Sequence, residues 1–236
     1  MNFMKEVTVV LTACNRADLL EKTLDSFFEM NTYPIKRFII IDDGMNFGCN
    51  DFVKSRYGSP YGTPIETIYN DPKLFQIKSI DAAYSMVDTE YIFHMEEDWL
   101  FLKPGFIEDS IEVLEADPNI VQVWLRGVDD KTLTHPWYSD VYEVNEKKLV
   151  LNQQVGMWGG ISFNPGLNRL SDWKSFPEGY NGCERITPAK QNGGVTLECD
   201  VSIEYMKRGR ITMRFVESYI THIGWDRHIV HGINGK

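Results

Sequence analysis

Cysteine is scarce and scattered in this chain. There are four in 236 residues (Cys14, Cys49, Cys183 and Cys199), none in C-x-x-C spacing. So few rule out a disulfide framework and paired zinc-binding cysteines, and make a reducing, cytoplasmic location the expectation. Long apolar runs are missing too: no stretch approaches the roughly 18 residues of a membrane span. The opening MNFMKEVTVVLTACNR enters a strand pattern directly, without a signal-peptide layout. No N-x-S/T sequon occurs. Positive charge is in deficit, with 24 Lys plus Arg against 34 Asp plus Glu and a net charge of −10. That argues against nucleic acid as a partner. It still allows a small anionic ligand, provided a local cation or metal offsets the field.

Familiar enzyme signatures are absent as well. No G-x-G-x-x-G follows the first apolar run, which leaves a nicotinamide or flavin site without support. There is no Walker A sequence, no G-x-S-x-G elbow and no H-E-x-x-H.

What is present is alternation. VTVVLTA (7–13) reads as a strand, and Leu20, Leu24, Phe27 and Phe28 then form one helical stripe, with Asn15 as its expected N-cap. FIII (38–41) is a strand ending in Asp42-Asp43-Gly44, and IETIY (65–69) is another. Ile77, Ile80, Tyr84 and Val87 make a second stripe leading into YIFHM (91–95). Ile107, Ile111 and Leu114 make a third, stopped by Asp117-Pro118 before IVQVWL (120–125). Strand and helix alternating at this spacing predict crossover units, and so an α/β fold with a mainly parallel central sheet flanked by helices. Periodicity weakens from about 127 to 195, where Gly, Pro, Asn and Trp accumulate. It returns in LECDVSIEYMKRGRITMRFV (197–216), a short helix stopped near Gly209 and then a strand. Without repeats or a credible linker, residues 1–236 are expected to form a single domain.

Two acidic clusters stand where ligands collect in such sheets, at the carboxyl ends of strands. Asp42-Asp43-Gly44 alone is ordinary turn chemistry. Glu96-Glu97-Asp98 ends an apolar strand and is followed by Trp99-Leu100-Phe101-Leu102. An isolated acidic triplet is usually a solvated turn, but this context makes deep solvation hard to arrange. A hard divalent cation would offset the carboxylate repulsion and could clamp a diphosphate.

The stretches VTVVLTACNRADLLEKTLDSFFE, FIIIDDG and KSIDAAYSMVDTEYIFHMEEDW resemble, over residues 7 to 102, the nucleotide-binding half of GT-A glycosyltransferases of the family-two type. The resemblance implies a Rossmann-like GT-A domain, with residues 1–102 binding the nucleotide and 103–236 the acceptor. By the same resemblance, Thr12, Asn15 and Arg16 line the nucleotide pocket, Asp42 or Asp43 contacts the base, and Lys78 faces the nucleotide. Glu96 or Glu97 reaches the ribose, and Asp98 closes a DxD-type triplet and binds Mn²⁺ or Mg²⁺. Glu-Glu-Asp in place of the commoner all-Asp triplet leaves open which acid touches the ribose.

The remaining implied residues lie in the second half. Trp158, Gly159 and Gly160 resemble the small-residue loop at the acceptor site, although a turn with a core tryptophan would read the same way. Glu198 and Asp200 resemble the acidic pair that supplies the catalytic base, where acids favoured by the helix dipole are the bland alternative. His222 fits the place of a metal-binding histidine, with His228 and His231 as weaker candidates.

The expected activity is metal-dependent transfer of a sugar from a nucleotide-sugar donor, UDP-linked, to a glycan or other acceptor hydroxyl, with inversion, although the sequence does not fix the geometry of attack and leaves retention open. Alternatives are a non-catalytic sugar- or nucleotide-binding module and a sugar-nucleotide pyrophosphorylase. LTACNRADLL lacks the Gly-rich, Arg-Lys-containing loop that the pyrophosphorylase would carry.

Overall fold

A computed structural model describes residues 4–44, 53, 56–57, 62–130, 140–152, 160–186 and 196–227. Its centre is a nine-stranded sheet in the order β3-β2-β1-β4-β9-β6-β10-β8-β7. Strands β1 (Val7–Ala13), β2 (Arg37–Asp42), β3 (Ile65–Tyr69) and β4 (Tyr91–Glu96) are mutually parallel. β9 (Gly166–Arg169) runs antiparallel between β4 and β6 (Ile120–Trp124). β10 (Ile211–Phe215) continues parallel to β6, and the hairpin β7 (Val141–Val144) with β8 (Lys147–Leu151) closes that edge. A separate ribbon pairs β5 (Trp99–Phe101) with β11 (Ile220–His222).

All seven residues of β1 are buried, which explains its continuous β-branched run: helices cover both faces of the sheet. On one face α1 (Ala17–Met30) and α3 (Phe106–Ala116) bury Leu20, Leu24, Phe27, Ile107 and Leu114 against Val9, Phe93 and Met95. On the other, α2 (Gln76–Ser85) and α4 (Thr196–Lys207) bury Ile77, Ile80, Val201 and Tyr205 against Val10, Ile39 and Ile92. Alternate residues of each strand thus serve opposite cores. Phe27 is fully buried with Phe38, Phe93, Phe101 and Phe106, its ring 5.2 to 5.9 Å from theirs. Truncating it to alanine would cost about 3–5 kcal/mol.

The three expected helical stripes are the buried faces of α1, α2 and α3, and α3 ends at Ala116, just before Asp117-Pro118. The N-cap differs from expectation. It is Arg16, because Asn15 takes a left-handed conformation (φ 56) that turns the chain between β1 and α1. From β1 the chain steps out through β2 to β3 and then crosses back to place β4 on the other side of β1. The carboxyl ends of β1, β2 and β4 therefore flank a topological switch point, where open α/β sheets bind ligands.

Candidate functional site

A cleft of about 570 Å³ opens at that switch point. The parallel register sets Thr12 of β1 beside Glu96 of β4, and Ala13 beside Asp42 of β2, so the acidic tips flank one strand end. Thr12, Arg16, Asp43, Lys78, Glu96, Glu97, Asp98 and His222 all line the cleft. Of the residues expected to meet a nucleotide or metal, Asn15 and Asp42 do not. Asp42 is buried and accepts the Gly44 N–H at 2.8 Å, which shapes the turn. A Cβ on Gly44 would stand 2.8 Å from Asn15 N and from Asp42 Oδ1, so this turn requires glycine.

The acidic triplet divides its work. Glu97 and Asp98 are nearly fully buried, and the cation between them is Arg16: Nε reaches Glu97 at 2.8 Å and Nη1 reaches Asp98 at 2.7 Å. Glu97 also accepts the Cys14 N–H at 2.8 Å. Burial raises its carboxyl above the usual range, against the pull of Arg16. Burial works against ionising Asp98 too, but the His222 hydrogen bond and the Arg16 charge outweigh it and hold that carboxyl below the usual range. Glu96 faces the cleft with Gln76 Nε2 at 2.8 Å. Burial and the neighbouring acids push its carboxyl well above the carboxylate range.

His222 arrives through the ribbon. β11 pairs with β5 so that His222 lies opposite Trp99, and Nε2 stands 3.1 Å from Asp98 Oδ2. The Ile223 N–H donates to Asp98 O at 2.9 Å. Gly224 packs so closely that a Cβ there would lie 2.3 Å from Asp98 Oδ2. Asp98 Oδ1 is buried and accepts no hydrogen bond among the described residues. One carboxylate oxygen left over beside an imidazole is a donor set that suits a divalent cation. Among the described residues, no three His, Cys, Asp or Glu side chains converge to hold a metal by themselves. A cation here would draw its remaining ligands from a phosphate and water, the usual mode for small hard cations.

Asp43 lines the cleft, but its carboxylate is largely occupied. Oδ1 accepts from Asn70 Nδ2 at 2.9 Å and from Leu74 N at 2.7 Å, and Oδ2 accepts from Phe75 N at 2.7 Å. A carboxylate has about four acceptor positions, so one remains.

At the other flank, Glu198 stands in the first turn of α4. Oε1 accepts the Phe163 N–H at 2.8 Å and the Ser162 hydroxyl at 3.1 Å. Burial pushes its carboxyl up to about 7, against those two hydrogen bonds. Glu198 itself stands behind the cleft lining, to which Leu197 before it and Asn164 after its partner Phe163 belong, and its charge acts on Glu96. Asp200 is buried on a different side of the helix, accepting the Ile186 N–H at 3.2 Å with Arg185 at 3.9 Å. Gly160 (φ 91) is buried against Thr212 and Asn152, and its carbonyl accepts from Trp124 Nε1 at 2.7 Å. Trp158, Gly159, His228 and His231 lie outside the described residues.

The sequence did not single out Lys73, Phe75, Arg126, Asn164, Asn181 or Trp225, all of which line the cleft. Trp225 meets His222 edge-on at 4.7 Å, and the Arg126 guanidinium lies 5.3 Å from the Trp225 ring centre. Their signal was composition only: charged, amide or aromatic residues between the main strands and helices.

Residues 8–176 match the family model described as Glycosyl transferase family 2. Among solved structures, S. aureus TarS 1-349 matches with a TM-score of 0.58 at 11% identity, over 91% of this chain and 59% of that one. TarS 1-349 in complex with UDP-GlcNAc gives 0.61 at 9%, over 95% and 62%. The mannosyltransferase PcManGT from Pyrobaculum calidifontis, in complex with GDP-Man and Mn²⁺, is 19% identical with a TM-score of 0.48, over 55% and 38%. This chain thus spans between 38% and 62% of the length of these structures. No curated protein matches it. The TarS likeness is one of fold, and that fold is GT-A.

Proposed function

Given that the chain belongs to glycosyl transferase family 2, we propose that it transfers a sugar from a nucleoside-diphosphate donor to an acceptor hydroxyl. The observation that carries this reading is the meeting of His222 and Asp98, 124 positions apart, in a cleft at the sheet's switch point. The donor occupies that cleft, with its base towards Asp43 and Thr12 and its diphosphate towards Arg16, Asp98 and His222. UDP is the donor nucleotide we favour, since Asp43 keeps one acceptor position for the ring N–H of a uracil.

Asp98 and His222 would hold Mn²⁺ or Mg²⁺, which supplies charge neutralisation for the diphosphate and makes it a better leaving group. The chain's own groups do the rest. Arg16, fixed by Glu97, keeps Asp98 ionised and adds positive charge beside the phosphates. Glu198 takes the proton from the acceptor hydroxyl as its oxygen attacks the anomeric carbon. Attack from the face opposite the leaving group gives inversion. Asn164 and Asn181 offer amide donors and acceptors for sugar hydroxyls at that flank. Glu198 suits the base better than Asp200, which turns towards residues 185–186.

One observation favours a second reading. Arg16 already bridges Glu97 and Asp98, which a metal-independent binding module would also show. The test is thermal stability with a panel of nucleoside diphosphates, with and without Mn²⁺, followed by donor hydrolysis. Ligand at about 100 times its Kd adds roughly 2.7 kcal/mol to the folded state. A shift that needs both nucleotide and Mn²⁺, together with release of sugar, is the expected result. A shift indifferent to Mn²⁺ and without hydrolysis would give the site to the binding module.

A further inference from the structure

Phe75 holds a backbone conformation that only glycine adopts with ease. Its φ is 66 and its ψ is 166, a region where a Cβ crowds the chain. Residues persist there only where their surroundings over-determine them, and here they do. The Phe75 N–H donates to Asp43 Oδ2 at 2.7 Å, and the preceding Leu74 N–H to Oδ1 at 2.7 Å. The Phe75 carbonyl accepts from Ser79 N at 3.0 Å and Ser79 Oγ at 2.8 Å. Asn70 steadies both anchors, donating to Asp43 Oδ1 and Ser79 Oγ at 2.9 Å each.

What this clamp presents is an apolar ring on the cleft wall, 54% exposed. Every other described phenylalanine is buried or half-buried. A ring serving the core would not need an exposed, strained perch. Its place along the cleft says what it meets. Asp43, which holds it, is at the tip of β2, Asp98 lies beyond the tip of β4, and β1 runs between them. Two inter-strand spacings of about 4.8 Å separate those tips, roughly 10 Å and the scale of a nucleotide. A diphosphate at Asp98 and His222 therefore directs its nucleoside towards Phe75.

We propose that the Phe75 ring is the stacking platform for the donor's nucleobase, an inference that rests on the donor site proposed above. Every base has a π-face, so the ring contributes affinity without choosing the base. Choice falls to polar groups at the base edge, such as the last acceptor position of Asp43. Because both peptide neighbours are pinned, little ordering remains to be paid for on binding. Lys73, with Nζ 5.8 Å from the ring centre, sets a cation beside the ring.

The experiment is calorimetric titration of the full chain, in Mn²⁺, with UDP, GDP and inorganic pyrophosphate. Wild type is compared with Phe75→Ala, Phe75→Gly and Phe75→Trp. Loss of one base–aromatic stack should weaken nucleoside diphosphate binding roughly 5- to 150-fold in the Ala and Gly variants. Trp should keep the affinity, and pyrophosphate should bind all four alike. Glycine relieves the backbone strain, so Phe75→Gly keeps the fold and separates loss of the ring from loss of structure. Unchanged nucleotide affinity in the Ala and Gly variants overturns the platform and leaves the donor site standing. An equal loss for pyrophosphate also overturns it, because the loop rather than the ring would then matter. Binding of no nucleoside diphosphate by the unaltered chain removes both.

Discussion

His222 Nε2 stands 3.1 Å from Asp98 Oδ2 because β11 pairs with β5 directly after the acidic turn. The contact joins two ends of the fold at one buried carboxylate that Arg16 also holds. Asp98→Asn keeps the shape and leaves Arg16 bound to Glu97, so the ligand-free protein should lose no more than about 1–3 kcal/mol. The Mn²⁺-dependent part of nucleotide stabilisation should vanish, and EDTA should abolish transfer by wild type until Mn²⁺ is restored. Thermal melts with and without Mn²⁺ read the first effect. A product assay reads the second, and transfer that persists in EDTA would exclude the cation.

Gly224 is expected to be as intolerant as the acid it touches. A methyl there would meet Asp98 Cβ at 2.8 Å and Cγ at 2.9 Å, so the carboxylate has to move. Gly224→Ala should cost about 1–3 kcal/mol as an overpacked site and reduce Mn²⁺-dependent transfer, although the methyl is neither charged nor a ligand. Gly209→Ala is the control. Unlike Gly224 it has a positive φ (69), and a Cβ there meets nothing within 4 Å, so alanine strains the backbone without touching the site and transfer should be unaffected. Comparable losses of transfer in both variants would mean that general destabilisation, not crowding of Asp98, is responsible.

Much of this site could be read from the chain, for a definite reason. β-branched runs ending in acids are improbable unless the tips do something, and three helical stripes fix the crossovers that bring those tips together. What escaped was non-local or too short to show a period. β5 and β11 have three residues each. β9, GLNR, carries one apolar side chain long enough to pack, and it inserts antiparallel where a parallel neighbour was expected. The β7–β8 hairpin turns on Asn145 and Glu146, both at positive φ and without the glycine that usually announces such a turn. Arg16 was legible as a pocket residue. That it bridges Glu97 and Asp98, 81 and 82 positions away, was not. The strain at Phe75 has no sequence signature, because it belongs to the Asp43 clamp.

His94 should be a liability in acid. It is buried one turn of the pleat below Glu96, between Tyr84 and Phe163, and neither ring nitrogen has a hydrogen-bond partner among the described residues. Burial lowers its pKa from 6.5 to about 3, so the folded state keeps it neutral while the unfolded chain binds a proton. Stability from this residue is therefore complete above the unfolded value and is lost as pH falls through 6.5 towards 3. At about pH 5.5 the loss should be about 1.4 kcal/mol. Urea melts at pH 8 and 5.5 should show His94→Leu gaining on wild type by that amount at the lower pH. Equal pH dependence of the two proteins would mean that the ring charges without penalty.

Glu198 gives the site its own pH dependence, with a sign that can be fixed in advance. Its carboxyl sits near 7, raised by burial from 4.5, so it is protonated below neutrality and ionised above it. A base must be ionised to accept the acceptor's proton. kcat/KM, which reports the free enzyme, should therefore rise through a limb near pH 7 and level off above it. Glu198→Gln should lower kcat by about 10²–10⁴ and erase that limb, while nucleotide affinity, set at the far side of the cleft, stays within a few-fold. Folding gives an independent readout. The native state retains the proton between about 4.5 and 7, so the stability that protonated Glu198 contributes is lost as pH rises through that window. The glutamine variant should gain on wild type over the same window, because it never ionises. Asp200→Asn separates the two acids. It breaks contacts to residues 185–186 and should destabilise the chain without moving the limb. If the limb disappears in Asp200→Asn and survives in Glu198→Gln, the base is Asp200, and the 185–186 segment must move away from it before transfer.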